Sequence, residues 1–299
     1  MRILVIGSSG FVGTHLVDRL VRDSHQVRGL DVWAPSGGAR FEFQLGSFLD
    51  PATIRHALSD VEVVIHLAST TVPGTSNADI PGDIQANLIG TVRLLDAMVE
   101  QGSRRIIFFS SGGAVYGNPA VDPTPETQPL YPISSYGVVK AAIEHYLHMY
   151  RELEGLESVV LRVSNVYGPG QAKAGIQGLI GTMLRRGLER QPIQIWGDGS
   201  VVRDYVYVDD LVEFASLAVC ERFGGIFNVG SGVGHSFNSL RPVVESALGL
   251  SLKVEFLPPR PFDVRRVVLD VRKAAAVGWQ PRVELEEGVR RHARSLVRP

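Results

Sequence analysis

Short apolar runs alternate with amphipathic stretches of helical period through the first half of the chain. Ile3–Ile6 is continuously apolar and predicts a buried strand; Phe11–Arg22 then places Phe11, Val12, Leu16 and Leu20 at helical spacing. Val27–Val32 and Phe41–Leu45 read as the second and third strands, and Pro51–Leu58 as a short helix opened by Asp50 as N-cap. Val61–Leu67 is the fourth strand, Ile84–Val99 a long amphipathic helix, Arg105–Ser110 the fifth strand, Tyr136–Leu153 a second long helix and Ser158–Val163 a sixth strand. Strand and helix in this rhythm require right-handed crossovers and a parallel, doubly wound α/β sheet of Rossmann type.

After Asn165 the alternation loosens and Gly and Pro crowd the chain at Gly168, Pro169, Gly170, Gly175 and Gly178. The expected division is a dinucleotide-binding domain over 1–166 plus 203–234 and a smaller C-terminal substrate domain over 167–202 plus 235–299. In this reading Arg203–Gly234 returns to the main sheet through a strand at Tyr205–Tyr207, a helix from Asp210 and a strand at Ile226–Val229.

Composition narrows the classes. The 299 residues are 44% hydrophobic and 20% charged, ordinary for a globular protein. A formal net charge of −1 gives no field to gather nucleic acid or an anionic membrane, so any phosphate must be held by local groups. No apolar run approaches the roughly 20 residues that span a bilayer. The strand that starts at Ile3 and turns at Gly7 does not predict a secretory leader. A single cysteine, Cys220, permits neither an internal disulfide nor a thiolate metal cluster; a cytoplasmic protein without a metal is expected, with Cys220 a buried helical filler.

Gly7-Ser8-Ser9-Gly10-Phe11-Val12-Gly13 joins the first strand to the first helix. Gly7 permits a tight turn, Gly10 lets the backbone approach a pyrophosphate, and Gly13 lets the helix pack close, so that phosphates meet free N–H groups at a helix N-terminus. Asp31 ends the second strand eighteen residues after Gly13. A carboxylate there accepts from ribose hydroxyls and repels a 2′-phosphate; Val32, Trp33 and Ala34 follow it rather than a cation, which favours NAD over NADP. Tyr136 and Lys140, four apart, share one helix face. A neighbouring ammonium is expected to lower the phenol pKa toward working pH and make Tyr136 a general base.

With these residues in hand the chain resembles the NAD-dependent epimerase/dehydratase family of extended short-chain dehydrogenase/reductases. The resemblance runs over essentially the whole chain, carried by Gly7–Gly13, Val64–Ala68, Asn87–Thr91, Phe109–Gly117, Tyr136–Lys140, Leu161–Pro169, Arg203–Asp210, Asn228–Gly230 and Gly278–Trp279. It implies that Phe11 and Val12 lie along the pyrophosphate, that Leu67 and Ala68 line the nicotinamide ribose, and that Asn87, Ser47, Phe48 and Ser110 stand on the cofactor side. It implies that Asn165 meets the substrate, that Arg203 and Arg260 bind a nucleotide diphosphate, and that Asp263 and Val267 belong to the same sugar-binding stretch. It further implies a homodimer built on the two long helices, with Leu88, Leu95, Val139, Ile143 and Tyr146 in contact.

Two positions depart from the family pattern. The usual Ser or Thr before the catalytic loop's Val-Tyr-Gly is Gly112, leaving Ser111 or a water to bridge Tyr136 and the sugar. The usual Asp after Gly46 is Ser47. Family members that dehydrate or decarboxylate carry an acid next to that Ser or Thr, where Gly113 and Ala114 stand here and move no proton. The resemblance therefore implies a nucleotide-sugar 4-epimerase on a UDP-hexose or UDP-N-acetylhexosamine; a 4-keto-sugar reductase and a non-catalytic NAD-binding protein remain open. Val267, where a tyrosine suits plain hexoses, is expected to leave room for an N-acetyl group.

Overall fold

The computed structural model describes residues 1–35, 37–171, 178–221, 223–259 and 264–297. They form two compact units: unit 1 is Met1–Val115, Leu130–Arg162 and Val212–Phe227, and unit 2 is Tyr116–Pro129, Val163–Leu211 and Asn228–Pro299.

The first strands are β1 (Arg2–Ile6), β2 (Gln26–Asp31), β3 (Glu42–Leu45), β4 (Val63–His66), β5 (Arg105–Ser111), β6 (Glu157–Val163) and, near the end of unit 1, β10 (Gly225–Val229). They make a seven-stranded sheet in the order β10-β6-β5-β4-β1-β2-β3. The pairs from β3 through β5 are parallel. The order reverses between β1 and β4, the switch point outside whose strand ends a doubly wound sheet binds ligands.

Helices α1 (Phe11–Arg22), α2 (Pro51–Ala57), α4 (Gly90–Gln101) and α5 (Ser135–Glu154) flank the strands. Asp50 caps α2 as expected, accepting from Thr53 N at 2.8 Å. Leu4, Ile6, Leu94, Leu95, Met98, Ile106, Val139, Ile143 and Leu147 meet in one buried core, each worth about 1.5–3 kcal/mol relative to exposure.

Three expectations need correction in unit 1. The helix expected over 84–99 is composite: α3 (Ile80–Asp83) runs into a wide π turn at Ile84–Ile89 and then into α4. Leu95, Val139 and Ile143, expected at a subunit contact, are core residues of their own sheet. The apolar residues that α5 leaves in solvent are Val138, Tyr146, Met149 and Leu153, a stripe one helical step round from the buried one. Cys220 is exposed at the end of α7 (Val208–Cys220), its Sγ 3.9 Å from His25 Nε2.

Unit 2 is built on β9 (Val202–Tyr207), which pairs in parallel with β7 (Asn165–Tyr167) and β13 (Arg266–Val267) and antiparallel with β11 (Gly234–Ser236). Of the Arg203–Gly234 stretch, β10 joins the seven-stranded sheet and β9 does not. Separately, β8 (Ile193–Trp196) and β12 (Val254–Leu257) form a parallel pair. Tyr116–Pro129 joins unit 2 because Thr124 bridges Leu269 and the Tyr116 hydroxyl donates to Asn228 Oδ1 at 2.7 Å. No helix among the described residues is long and apolar enough to cross a membrane.

Candidate active site

The turn after β1 starts at Gly7, whose φ of +90° lies in the region that disfavours a side chain. Gly10 is the N-cap of α1 and no side chain caps that end, so the first-turn amides of Phe11, Val12 and Gly13 face outward without a capping group. Gly13 sits against the turn; a Cβ there would lie 2.1 Å from Gly7 O. Asp31 is fixed beside the turn by accepting from Ser9 N at 2.9 Å and Trp33 N at 3.2 Å. Leu67 and Ala68 both donate their amides to Ile6 O, which holds the chain leaving β4 against β1. An uncapped helix end, a close-packed glycine turn and an anchored carboxylate suit the pyrophosphate and ribose of NAD.

Tyr136 and Lys140 lie one turn apart on α5, which Ser134 caps by accepting from Gly137 N at 3.3 Å. A Cβ on Gly137 would lie 2.6 Å from Ala114 O, so the bare glycine brings α5 against the loop after β5. That contact sets Ser111 near Tyr136, where its hydroxyl favours the ionised phenol. Lys140 is 4% exposed. It donates to Phe109 O at 2.8 Å, and its ammonium stands 4.7 Å from the Phe108 ring centroid and 5.7 Å from that of Tyr136.

Burial pushes the Tyr136 phenol up to about 12, with Ser111 pulling it down and the Asp83 charge raising it. Burial also lowers Lys140 to about 8, against the opposing charges of Glu144 and Asp83. The pair thus differs from the expectation that the ammonium dominates: desolvation of the phenol outweighs it.

Of the polar groups packed round this pair, sequence reasoning named Asn87 and Ser110 and missed Asp83, Thr71, Thr91, Ser135, His66, Glu144 and Arg162. Asp83 is 1% exposed and accepts from Asn87 Nδ2 at 2.7 Å, Thr71 Oγ1 at 2.6 Å and Ser135 Oγ at 2.6 Å. Asn87 also accepts from Thr70 N at 2.9 Å. Its side chain therefore braces the loop after β4. Thr91 Oγ1 donates to Asn87 O at 2.6 Å, so His66 Nε2, 3.1 Å away, must be the donor to Thr91. Burial, helped by the Lys140 charge, lowers His66 to about 3 and keeps it neutral. Beneath Lys140, Glu144 pairs with Arg162 at 2.6 Å and accepts from Ser110 Oγ at 2.5 Å. Ser110's hydroxyl is thereby committed to Glu144. One signal was available: Asp83 precedes Asn87 by four residues on the same helical face.

The remaining sites fall in different surroundings. Ser47 Oγ accepts from Leu49 N at 3.2 Å. Phe48 is a core side chain edge-on to His66. In unit 2, Asn165 donates to Asp204 O at 3.0 Å and Arg203 to Val202 O at 2.8 Å. Val267 is 2% exposed and stands in register with Arg203 across β13 and β9. Arg260 and Asp263 lie outside the described residues.

The sequence pattern of the NAD dependent epimerase/dehydratase family matches residues 3–230. UDP-glucose 4-epimerase of Mycolicibacterium smegmatis is 41% identical over 302 residues, 97% of this chain and 96% of that one. The solved UDP-glucose 4-epimerase of Thermotoga maritima with UDP-glucose superposes with a TM-score of 0.93 at 37% identity, covering 99% of this chain and 98% of the other. That of Thermus thermophilus with NAD gives 0.92 at 36% identity, with 99% and 98% covered.

Proposed function

The chain belongs to the NAD dependent epimerase/dehydratase family, and we propose that it is an NAD-dependent 4-epimerase of a UDP-hexose or UDP-N-acetylhexosamine, working through a 4-keto sugar. The observation that carries this is the pairing of Tyr136 with buried Lys140 one turn on, the ammonium 5.7 Å from the phenol ring, on a helix that Gly137 brings against the loop after β5. No carboxylate occupies the neighbouring Gly113 and Ala114 positions, so the loop after β5 supplies a proton carrier for a hydroxyl and none for carbon acid or dehydration chemistry.

Gly7, Gly10, Phe11, Val12 and Gly13 would hold the pyrophosphate of NAD, and Asp31 the adenosine ribose. Bound NAD supplies a hydride acceptor that can return the hydride to either face of the sugar. Tyr136 takes the proton from the C4 hydroxyl and gives it back to the epimeric oxygen. Ser111 would act in place of the hydroxyl that the family carries at the Gly112 position, passing a hydrogen bond between the phenol and the sugar oxygen. With a pKa of about 8, Lys140 is still protonated at pH 7, so its charge favours phenolate. Burial alone would leave the phenol protonated at neutral pH; positive charge gathered in the filled site must offset it.

The same reading gives Arg203 and Arg260 to the diphosphate, where bidentate guanidinium pairing is strong, with Asn165, Asp263 and Val267 nearer the sugar. The Rossmann part serves the cofactor, and the smaller part the substrate. We further propose a cytoplasmic homodimer that covers the α5 stripe of Val138, Tyr146, Met149 and Leu153, the last 71% exposed. Light scattering at micromolar concentration is expected to give twice the chain mass, and Leu153→Arg with Met149→Asp to halve it.

Incubation with a panel of UDP-hexoses and UDP-N-acetylhexosamines, followed by NMR, tests the activity. Interconversion of C4 epimers without net consumption of added cofactor is expected. Stoichiometric consumption of NADH or NADPH with a 4-keto sugar would make the protein a reductase instead.

A further inference from the structure

We propose that Asp83 is a positioning residue for Tyr136: its single buried carboxylate ties the loop after β4 to the first turn of α5. The inference rests on the epimerase reading for the meaning of Tyr136, while its geometry stands apart from any substrate.

The two oxygens of Asp83 have separate tasks. Oδ1 takes Thr71 Oγ1 and Asn87 Nδ2, at 2.6 and 2.7 Å. Oδ2 takes Ser135 Oγ at 2.6 Å. Ser135 directly precedes Tyr136, and its own amide donates to Asn77 Oδ1 at 2.8 Å. The start of α5 is thus held from two sides, by backbone through Asn77 and by side chain through Asp83. Through Asn87, which accepts from Thr70 N and donates to Thr70 Oγ1 at 2.9 Å each, the same carboxylate fixes the chain just beyond Leu67 and Ala68.

Asp83 stands at the junction between α3 and the π turn. A wide turn of this kind inserts a residue into the helix and is found most often at functional sites. Here it brings Asn87 under Asp83. A buried carboxylate is costly unless its oxygens are filled, and three donors fill this one. A carboxylate only accepts, so it also dictates where the Thr71 and Ser135 hydroxyl protons point.

Charge adds a second consequence. The titratable groups that the Asp83 charge reaches are Tyr136 and Lys140 on α5; Lys140 also feels Glu144, which pairs with Arg162 on β6, and acts in turn on His66 on β4. The Asp83 charge adds to that of Glu144 in favouring the Lys140 ammonium and at the same time resists ionisation of Tyr136. An isosteric amide at this position separates charge from shape.

The test uses Asp83→Asn and Ser135→Ala in the full chain. Tyr136 is titrated by NMR with [13Cζ]tyrosine, its signal assigned by Tyr136→Phe, alongside NAD affinity, melting temperature, and kcat and KM against pH. Asp83→Asn is expected to titrate Tyr136 at lower pH and to move the acidic limb of kcat the same way. Ser135→Ala is expected to lower kcat on the order of tenfold, because small misplacements of a reacting group are costly, with KM and NAD affinity within about threefold of wild type.

The proposal falls if Asp83→Asn leaves the Tyr136 titration in place, or if Ser135→Ala keeps wild-type kcat. It falls equally if either variant loses NAD affinity and melting temperature in step with kcat. Should Asp83→Asn not fold, Ser135→Ala decides alone. A wild type inactive on every nucleotide sugar would sink the epimerase reading and leave the Tyr136 titration as the judge of this one.

Discussion

Each unit of the molecule buries an aspartate that gathers at least three hydrogen bonds, and the donors differ in kind. Asp83 of unit 1 takes all of its bonds from side chains: Thr71, Asn87 and Ser135. Asp204 of unit 2 takes backbone amides: Ser231 N at 2.7 Å, Gly232 N at 3.0 Å and Leu269 N at 3.2 Å, with the Ser231 hydroxyl added. Side-chain donors can be exchanged one at a time without altering the chain path. Backbone donors are the chain path. Asp204 therefore belongs to the folding of the loop after β10 and to its attachment beside β13, whereas the role proposed for Asp83 is to place groups near the Tyr136 phenol.

The comparison is sharpened most strongly at the phenol itself. Tyr136→Phe is expected to cut turnover by roughly 10²–10⁴, the range that a general acid–base group contributes. NAD affinity and melting temperature should stay near wild type, because only the hydroxyl is lost and the ring keeps its packing beside Lys140. Turnover within a few-fold of wild type would mean that another residue moves the proton, and unit 1 would lose its claim to the chemistry.

Asp204→Asn is expected to act in the opposite way. The amide leaves one oxygen facing donors and turns an NH2 toward backbone N–H groups. Each buried donor left unpaired costs about 1–3 kcal/mol, so a loss of roughly 2–4 kcal/mol is expected in denaturant unfolding. Activity per folded molecule should survive. A variant as stable as wild type would show that the backbone bonds to Asp204 are easily replaced and would erase the distinction drawn between the two aspartates.

The same contrast governs how much could be read from sequence. In unit 1 each strand is a short apolar run and each helix has a clear period, so the doubly wound sheet, the glycine turn, Asp31 and the Tyr136–Lys140 face were all legible. What failed there was phase and detail. Val138 and Val139 are equally apolar, and only tertiary packing decides which of them is buried. The π turn leaves no mark in composition, and a polar cluster such as Asp83, Asn87, Thr71 and Ser135 assembles residues from positions 71 to 135. In unit 2 the strands have as few as two residues and pair across long separations: β9 meets β7, β11 and β13. No local period encodes such pairings, which is why β9 was placed in the wrong sheet.

Buried histidines offer a gentler probe of the two units. His66 shares a hydrogen bond with Thr91, whereas neither ring nitrogen of His292 in α10 (Leu285–Val297) has a partner among the described residues. Burial lowers His66 to about 3 and His292 to about 4, from an ordinary 6.5. Between those values the unfolded chain binds the proton and the folded chain does not. Stability is therefore present above about 6.5 and lost as pH falls toward 4 and then 3. His292→Leu removes one contribution and two unpaired polar atoms. Its unfolding free energy should gain on wild type by about 2 kcal/mol between pH 8 and pH 5, since one pKa unit is worth about 1.4 kcal/mol. Equal losses in the two proteins over that interval would show that His292 does not stay neutral.

The smallest expected effect concerns Val267, the residue of unit 2 proposed to tune the sugar. Its side chain is 2% exposed and its backbone pairs with Arg203, so it is enclosed by protein on the strand next to the one that carries a proposed diphosphate ligand. A phenol ring at this position must either displace its neighbours or occupy space that the C2 substituent of a sugar would use. Overpacking costs about 1–3 kcal/mol. If that cost is felt by the substrate, Val267→Tyr should turn kcat/KM toward UDP-hexoses over UDP-N-acetylhexosamines by roughly tenfold, equivalent to about 1.4 kcal/mol. If it is felt by the fold, melting temperature falls and the ratio of the two substrates is unmoved. The ratio is the deciding measurement, because a drop in stability lowers both activities together while a wall beside the sugar lowers only one. An unmoved ratio would return Val267 to the core of unit 2 and leave the choice of sugar to the other residues.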